Sequence, residues 1–137
     1  MKEIRPTLIR QNESLSAGVA TPEIARRRFT DREGRWSGWA ERIRNAPGDV
    51  SSWHQHPASD TYVYVIRGSV TVDFGLGGAE RFSASAGDFF IIPAQLIHRE
   101  STSPDSELEA FVIRVGELPE KIDVEEPSGG IDDARSA

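Results

Sequence analysis

Three histidines are the residues of this chain whose spacing could do chemistry. His54 and His56 stand two positions apart in "SSWHQHP", and His98 follows far downstream in "PAQLIHRE". Successive side chains of a β-strand point to opposite faces, so His54 and His56 project to one side, and Trp53 and Gln55 to the other. Two neutral imidazoles on one rigid strand can present adjacent nitrogens to a single ion, with a third ligand arriving from another strand. Three imidazoles leave the whole charge of a divalent ion uncompensated and keep several coordination positions open. Such a site can chelate a small anionic substrate, such as an enolate, a catecholate or an α-hydroxy-ketone, and still admit O2. The same ligands suit zinc, where they support Lewis-acid hydrolysis or isomerisation.

Those histidines need strands to hold them, and the sequence supplies strand signals from "DREG" onward. Short runs of β-formers follow one another: "WSGWAERIR", "VSSWHQH", "TYVYVIRG", "SVTVDFG", "ERFSA", "DFFIIP", "LIHRES" and "LEAFVIRV". Gly, Pro, Asp and Ser separate them, the pattern of an all-β sandwich or barrel of short antiparallel strands. "VTVDFG" alternates cleanly, with Val70, Val72 and Phe74 on one face and Thr71 and Asp73 on the other. "FGLGGAE" offers the positive-φ residues of a hairpin, and Pro93 ends the "FFII" strand because it cannot donate to a ladder. Residues 1–30 read as an arm packing on the barrel or on a partner subunit, with a short strand or helical turn around Pro22 to Arg28. Residues 31–118 form the β-domain, and residues 119–137 an acidic tail that is mobile beyond about Pro127.

The glycines around the histidines make a longer pattern. Gly48 precedes His54 with five residues between them and Gly68 closes the next strand; Gly87, Pro93 and His98 repeat the same order. In this the chain resembles the cupin superfamily, whose motifs read G-x5-H-x-H-x3/4-E-x6-G and G-x5-P-x-G-x2-H-x3-N. The resemblance covers about residues 36 to 116, and it is closest to small single-domain bacterial cupins with "H-x-H", "[DE]-T-Y" and "HRE". It implies a single jelly-roll-type β-barrel with one divalent metal on His54, His56 and His98. Three positions depart from the motifs: Thr61 stands where the family has a glutamate ligand, Gln95 replaces a glycine and Thr102 an asparagine. Asp60, beside Thr61, could supply the carboxylate if the strand bulged, although alternation turns it to the opposite face.

The expected activity is that of a non-haem Fe(II) dioxygenase-like enzyme on a small chelating organic substrate, with Zn, Ni or Mn as other ions. A metal-dependent isomerase, lyase or hydrolase on the same site, or a non-catalytic small-molecule sensor, is the alternative. Tyr62, Gln95 and Arg44 are the polar candidates for substrate contact. Trp36, Trp39, Phe82, Phe89, Phe90 and Phe111 could line the cavity or be ordinary core. A homodimer that covers a sheet edge is expected.

Bulk properties agree with this reading. The 137 residues fit one domain, and the lack of cysteine removes disulfides and thiolate sites. The net charge of -6 speaks against nucleic acid as a partner, since its affinity comes from phosphate neutralisation. "ARRRF" reads as a solvated arm or a subunit contact. No apolar run approaches the roughly 18 residues of a membrane helix, and a cytoplasmic protein is expected.

Overall fold

The computed structural model describes residues 5, 6, 8, 27–30, 37–116 and 121–127. Within them the chain forms ten strands: β1 (Arg27–Thr30), β2 (Ser37–Asn45), β3 (His54–Gln55), β4 (Ser59–Arg67), β5 (Ser69–Phe74), β6 (Glu80–Ser85), β7 (Phe89–Ile92), β8 (His98–Thr102), β9 (Leu108–Gly116) and β10 (Ile122–Asp123). They make two antiparallel five-stranded sheets, ordered β1-β2-β9-β4-β7 and β10-β3-β8-β5-β6. This is the expected all-β jelly roll, built as two facing sheets. The expected runs fall on β2 to β9, although "VSSWHQH" contributes only two residues to its strand.

Alternation decides which side chains enter the space between the sheets. On β4, Ser59, Thr61, Val63 and Val65 are buried while Tyr64 and Ile66 are exposed. On β9, Leu108, Ala110 and Val112 are buried and Phe111 is exposed. The apolar core has two clusters, one of Trp39, Val63, Ala110 and Val112, the other of Val65, Val70, Ala84 and Leu108. Phe90 packs against both and so joins them. Phe82 stacks edge-on against Phe90 at 5.2 Å. Phe89 and Phe111 instead lie on the outer face of the first sheet, so they do not line an interior cavity. Trp36 lies outside the described residues.

The outer face of the second sheet is tied by charge. Asp73 on β5 is buried, and it accepts hydrogen bonds from Arg81 Nε at 2.6 Å and Arg99 Nη2 at 3.0 Å, its cross-strand neighbours on β6 and β8. The Arg81 bond, and then that from Arg99, hold the Asp73 carboxyl below the usual carboxylate range despite burial. Arg99 also lies 4.8 Å above the Trp53 ring, which carries the lock across to the segment holding His54.

At the C-terminal end, Ile122 and Asp123 pair with Gln55 and His54 as β10, so part of the expected tail belongs to the sheet. The pairing has a physical reason: β10 covers what would otherwise be an open edge of β3. Residues 128–137, where mobility was expected, and residues 22–26 of the arm lie outside the described residues.

Gly68 makes the tight β4–β5 turn at φ 84°, and a Cβ there would collide with the Glu107 carbonyl oxygen. Left-handed backbone and steric overlap both penalise a side chain, so Gly68→Ala is expected to cost about 2–4 kcal/mol. Urea denaturation measures this; a loss under about 1 kcal/mol would mean that the turn relaxes freely.

Candidate metal centre

The site is built on β3 and β8. His54 and His98 are directly opposed in the antiparallel register, which brings two distant parts of the chain face to face. His56 continues past the end of β3 on the same side, and its carbonyl accepts the Gln95 N–H at 3.0 Å. The three rings converge, with centroids separated by 4.3 Å for His54–His98, 5.0 Å for His54–His56 and 5.4 Å for His56–His98. Each offers a nitrogen within 4.8 Å of the others, and all three side chains are buried. These three histidines could hold one metal ion.

The hydrogen bonds choose the tautomer. His54 Nδ1 lies 2.8 Å from the Ser52 carbonyl oxygen, and His98 Nδ1 lies 2.9 Å from that of Leu96. A carbonyl only accepts, so Nδ1 carries the proton on both rings and Nε2 keeps its lone pair. His98 Nε2 is buried and makes no hydrogen bond. A buried nitrogen with a lone pair and no donor is costly in a folded protein, unless a ligand uses it. A divalent ion is such a ligand, and the backbone bonds are the outer-shell contacts that orient metal-bound imidazoles. Burial is the main reason that the His54 pKa lies below its ordinary 6.5; the Ser52 bond opposes it, and His98 lowers it further. His54 is therefore neutral at neutral pH, as ligation requires.

The motif position on β4 is occupied as the sequence indicates. Thr61 is buried, and its hydroxyl oxygen accepts a 2.8 Å hydrogen bond from Arg114 Nε on the paired strand β9. The Arg114 guanidinium lies 4.7 Å over the Trp39 ring, on the inner side of the first sheet. A fixed cation and a hydroxyl thus stand where the motif has a carboxylate. Sequence reasoning passed over Arg114, whose register with Thr61 requires the sheet to be known.

Glu100 was missed as well. It lies two residues beyond His98 on β8, and its Oε2 is 3.4 Å from His98 Nε2. Burial opposes its ionisation, but the adjacent His98, the positive charge that His98 and His54 carry when protonated, and the charge of Arg114 outweigh this and hold its carboxyl at about 2. The signal was present in "HRE", since the alternation that pairs His54 with His56 also pairs His98 with Glu100.

The other candidates are placed elsewhere. The Asp60 carboxylate accepts the Ala94 N–H at 2.8 Å and so braces the corner after Pro93; the strand keeps its alternation there, and Asp60 faces away from the histidines. Tyr62, on the outer side of β4, stacks with Phe89 at 6.4 Å. Arg44 pairs with Glu107 at 3.6 Å, next to an Arg67 that reaches both Glu107 and Glu109. Neither is brought to the imidazoles. Gln95 adopts φ 74°, the left-handed conformation that explains glycine in the motif, and its side chain is exposed. It borders a shallow depression of about 380 Å³ with Leu76, Glu80, Leu96 and Pro127, and no histidine lines it.

Comparison with known proteins gives the family. Curated relatives include germin-like protein 5-1 of Oryza sativa subsp. japonica, 33% identical over 67 residues (47% of this chain, 30% of the relative). Germin-like protein subfamily 2 member 2 of Arabidopsis thaliana is 35% identical over 75 residues (51% of this chain, 34% of the relative). The chain spans about a third of the length of these relatives. Similar solved structures include a Klebsiella pneumoniae protein with a double-stranded β-helix domain (TM-score 0.54, 21% identity, covering 65% of this chain and 71% of that one). An oxalate oxidase in complex with the substrate analogue glycolate matches at TM-score 0.51 and 26% identity, covering 64% of this chain and 46% of that one. The family model for the cupin domain matches residues 42–114, more than half of the chain and both histidine segments. This chain belongs to the cupin family.

Proposed function

We propose that the chain is a mononuclear metal enzyme of the oxidative, dioxygenase-like kind, acting on a small, oxygen-rich organic acid that chelates its ion. The observation that carries this reading is the pair of backbone bonds on His54 Nδ1 and His98 Nδ1. They leave the Nε2 atoms of His54 and His98 outside those bonds, and all three rings offer a ligand nitrogen within 4.8 Å of one another. A bound Fe(II) or similar ion would supply Lewis acidity and one-electron chemistry toward O2.

The rest falls to the chain's own residues. His54, His56 and His98 hold the ion, and the Ser52 and Leu96 carbonyls fix two of the ring orientations. Arg114, held by Thr61 and braced on Trp39, sets a positive charge on the inner wall, suited to orient a carboxylate. The polar character of this wall, and the outward positions of Phe89 and Phe111, favour a compact acid over an aromatic substrate. That a similar oxalate oxidase holds glycolate as substrate analogue supports the same class of ligand. Burial of the site lowers the His54 pKa, which favours its neutral, ligating form.

Two measurements test this. His98→Ala removes the β8 imidazole, and tight metal binding is expected to vanish while the far-UV spectrum stays that of a β-protein. Retention of metal at wild-type affinity would remove the three-histidine site. With wild-type protein loaded anaerobically with Fe(II) or Mn(II), O2 uptake should depend on an added α-hydroxy acid, dicarboxylate or β-diketone. Turnover of such a compound without O2 uptake, as with a zinc-loaded lyase or hydrolase, would overturn the oxidative assignment.

A further inference from the structure

We infer that Glu100 is the fourth protein ligand of the metal centre, a carboxylate carried by β8 in place of the one that β4 lacks. The inference rests on the three-histidine reading and adds a residue to it.

Direction comes first. β8 alternates His98 inward, Arg99 outward and Glu100 inward, and the outward course of Arg99 is fixed by its bond to Asp73. Two bonds to Ser51 hold the Glu100 backbone in place. Its N–H donates to Ser51 Oγ at 2.9 Å and its carbonyl accepts the Ser51 N–H at 2.8 Å. The carboxylate is thus sent to the same side as the imidazoles by the register of the sheet, and not by a freely swinging loop.

Distance comes second. Two donors each about 2.0–2.2 Å from one ion, at an angle of about 90–110°, stand roughly 2.8–3.6 Å apart. Glu100 Oε2 and His98 Nε2 are separated by 3.4 Å, inside that range and beyond a well-formed N–H···O hydrogen bond. That spacing is compatible with two donors sharing one coordination sphere.

Chemistry comes third. The Thr61 hydroxyl is engaged by Arg114 Nε, so β4 has no group to give to the metal. A His-x-Glu pair on β8 then faces the His-x-His pair on β3, and the donor set becomes three imidazoles and one carboxylate. One unit of the ion's positive charge is neutralised, and one open position is filled. A chelating substrate would meet a less acidic ion than three imidazoles alone provide, with the Arg114 guanidinium facing its far end.

Glu100→Gln separates a ligand from a group that only orients a ring, because the amide oxygen still accepts hydrogen bonds but binds a divalent ion poorly. Mn(II) affinity would be measured by competition with a chromophoric chelator, on wild type and on Glu100→Gln. The visible spectrum of the Co(II)-loaded proteins would report coordination. A loss of about 100-fold or more is expected, beyond the roughly 10–100-fold typical of an outer-shell partner, together with a changed Co(II) spectrum. Glu100→Asp, which shortens the reach but keeps the charge, should fall between the two. Wild-type affinity and an unchanged Co(II) spectrum in Glu100→Gln would overturn the inference and leave the three-histidine site standing. Failure of the wild-type protein to bind Mn(II) or Co(II) would overturn both.

Discussion

The site depends on one register, in which His54 of β3 lies opposite His98 of β8. β3 has only two residues, so its own ladder bonds are few, and a slip of one position would turn every imidazole to the wrong face. The register is pinned from several sides. Val124 N–H donates to the Trp53 carbonyl, Gln95 N–H to that of His56, and Val50 bridges Ser101. On the outer face Arg99, the neighbour of His98, lies over Trp53, the neighbour of His54, and is itself held by Asp73. The imidazoles meet on the inside because the residues between them are locked together on the outside.

The interior is divided between two kinds of surface. Trp39 and the aliphatic side chains of β4 and β9 form the apolar part of it, and the buried polar groups His54, His56, His98, Thr61 and Thr102 the polar part. Burying so many polar atoms is unfavourable unless each finds a partner. Carbonyls take the Nδ1–H groups of His54 and His98, and Arg114 takes the Thr61 hydroxyl. His98 Nε2, in contrast, is buried without a hydrogen bond. A bound ion would offset the cost of leaving it there.

Much of this was legible in the sequence, and the exceptions have physical causes. The spacing of Gly48, His54, His56 and Gly68, and of Gly87, Pro93 and His98, identifies the fold and the three imidazoles because it encodes turns and alternation, which are local properties. Alternation also turned Asp60 away from the site, where the structure finds it bracing Ala94. Glu100 was equally readable from its i+2 relation to His98. The motif places its carboxylate on β4, at position 61, and so points away from the one that β8 carries. Arg114, and the outward faces of Tyr62, Phe89 and Phe111, were not legible. Which side of a strand faces the second sheet depends on pairings between residues dozens of positions apart. The β10 pairing of Ile122 and Asp123 was hidden for the same reason, since a two-residue strand has no periodicity of its own.

One metal ion per chain is the central claim, and elemental analysis of the protein purified without added metal or affinity tag tests it most directly. Close to one equivalent of a transition metal per chain is predicted, released as protons compete for the imidazoles on acidification. A chain that carries no transition metal as purified, and takes up none on anaerobic incubation with Fe(II), Mn(II), Ni(II) or Zn(II), would contradict it.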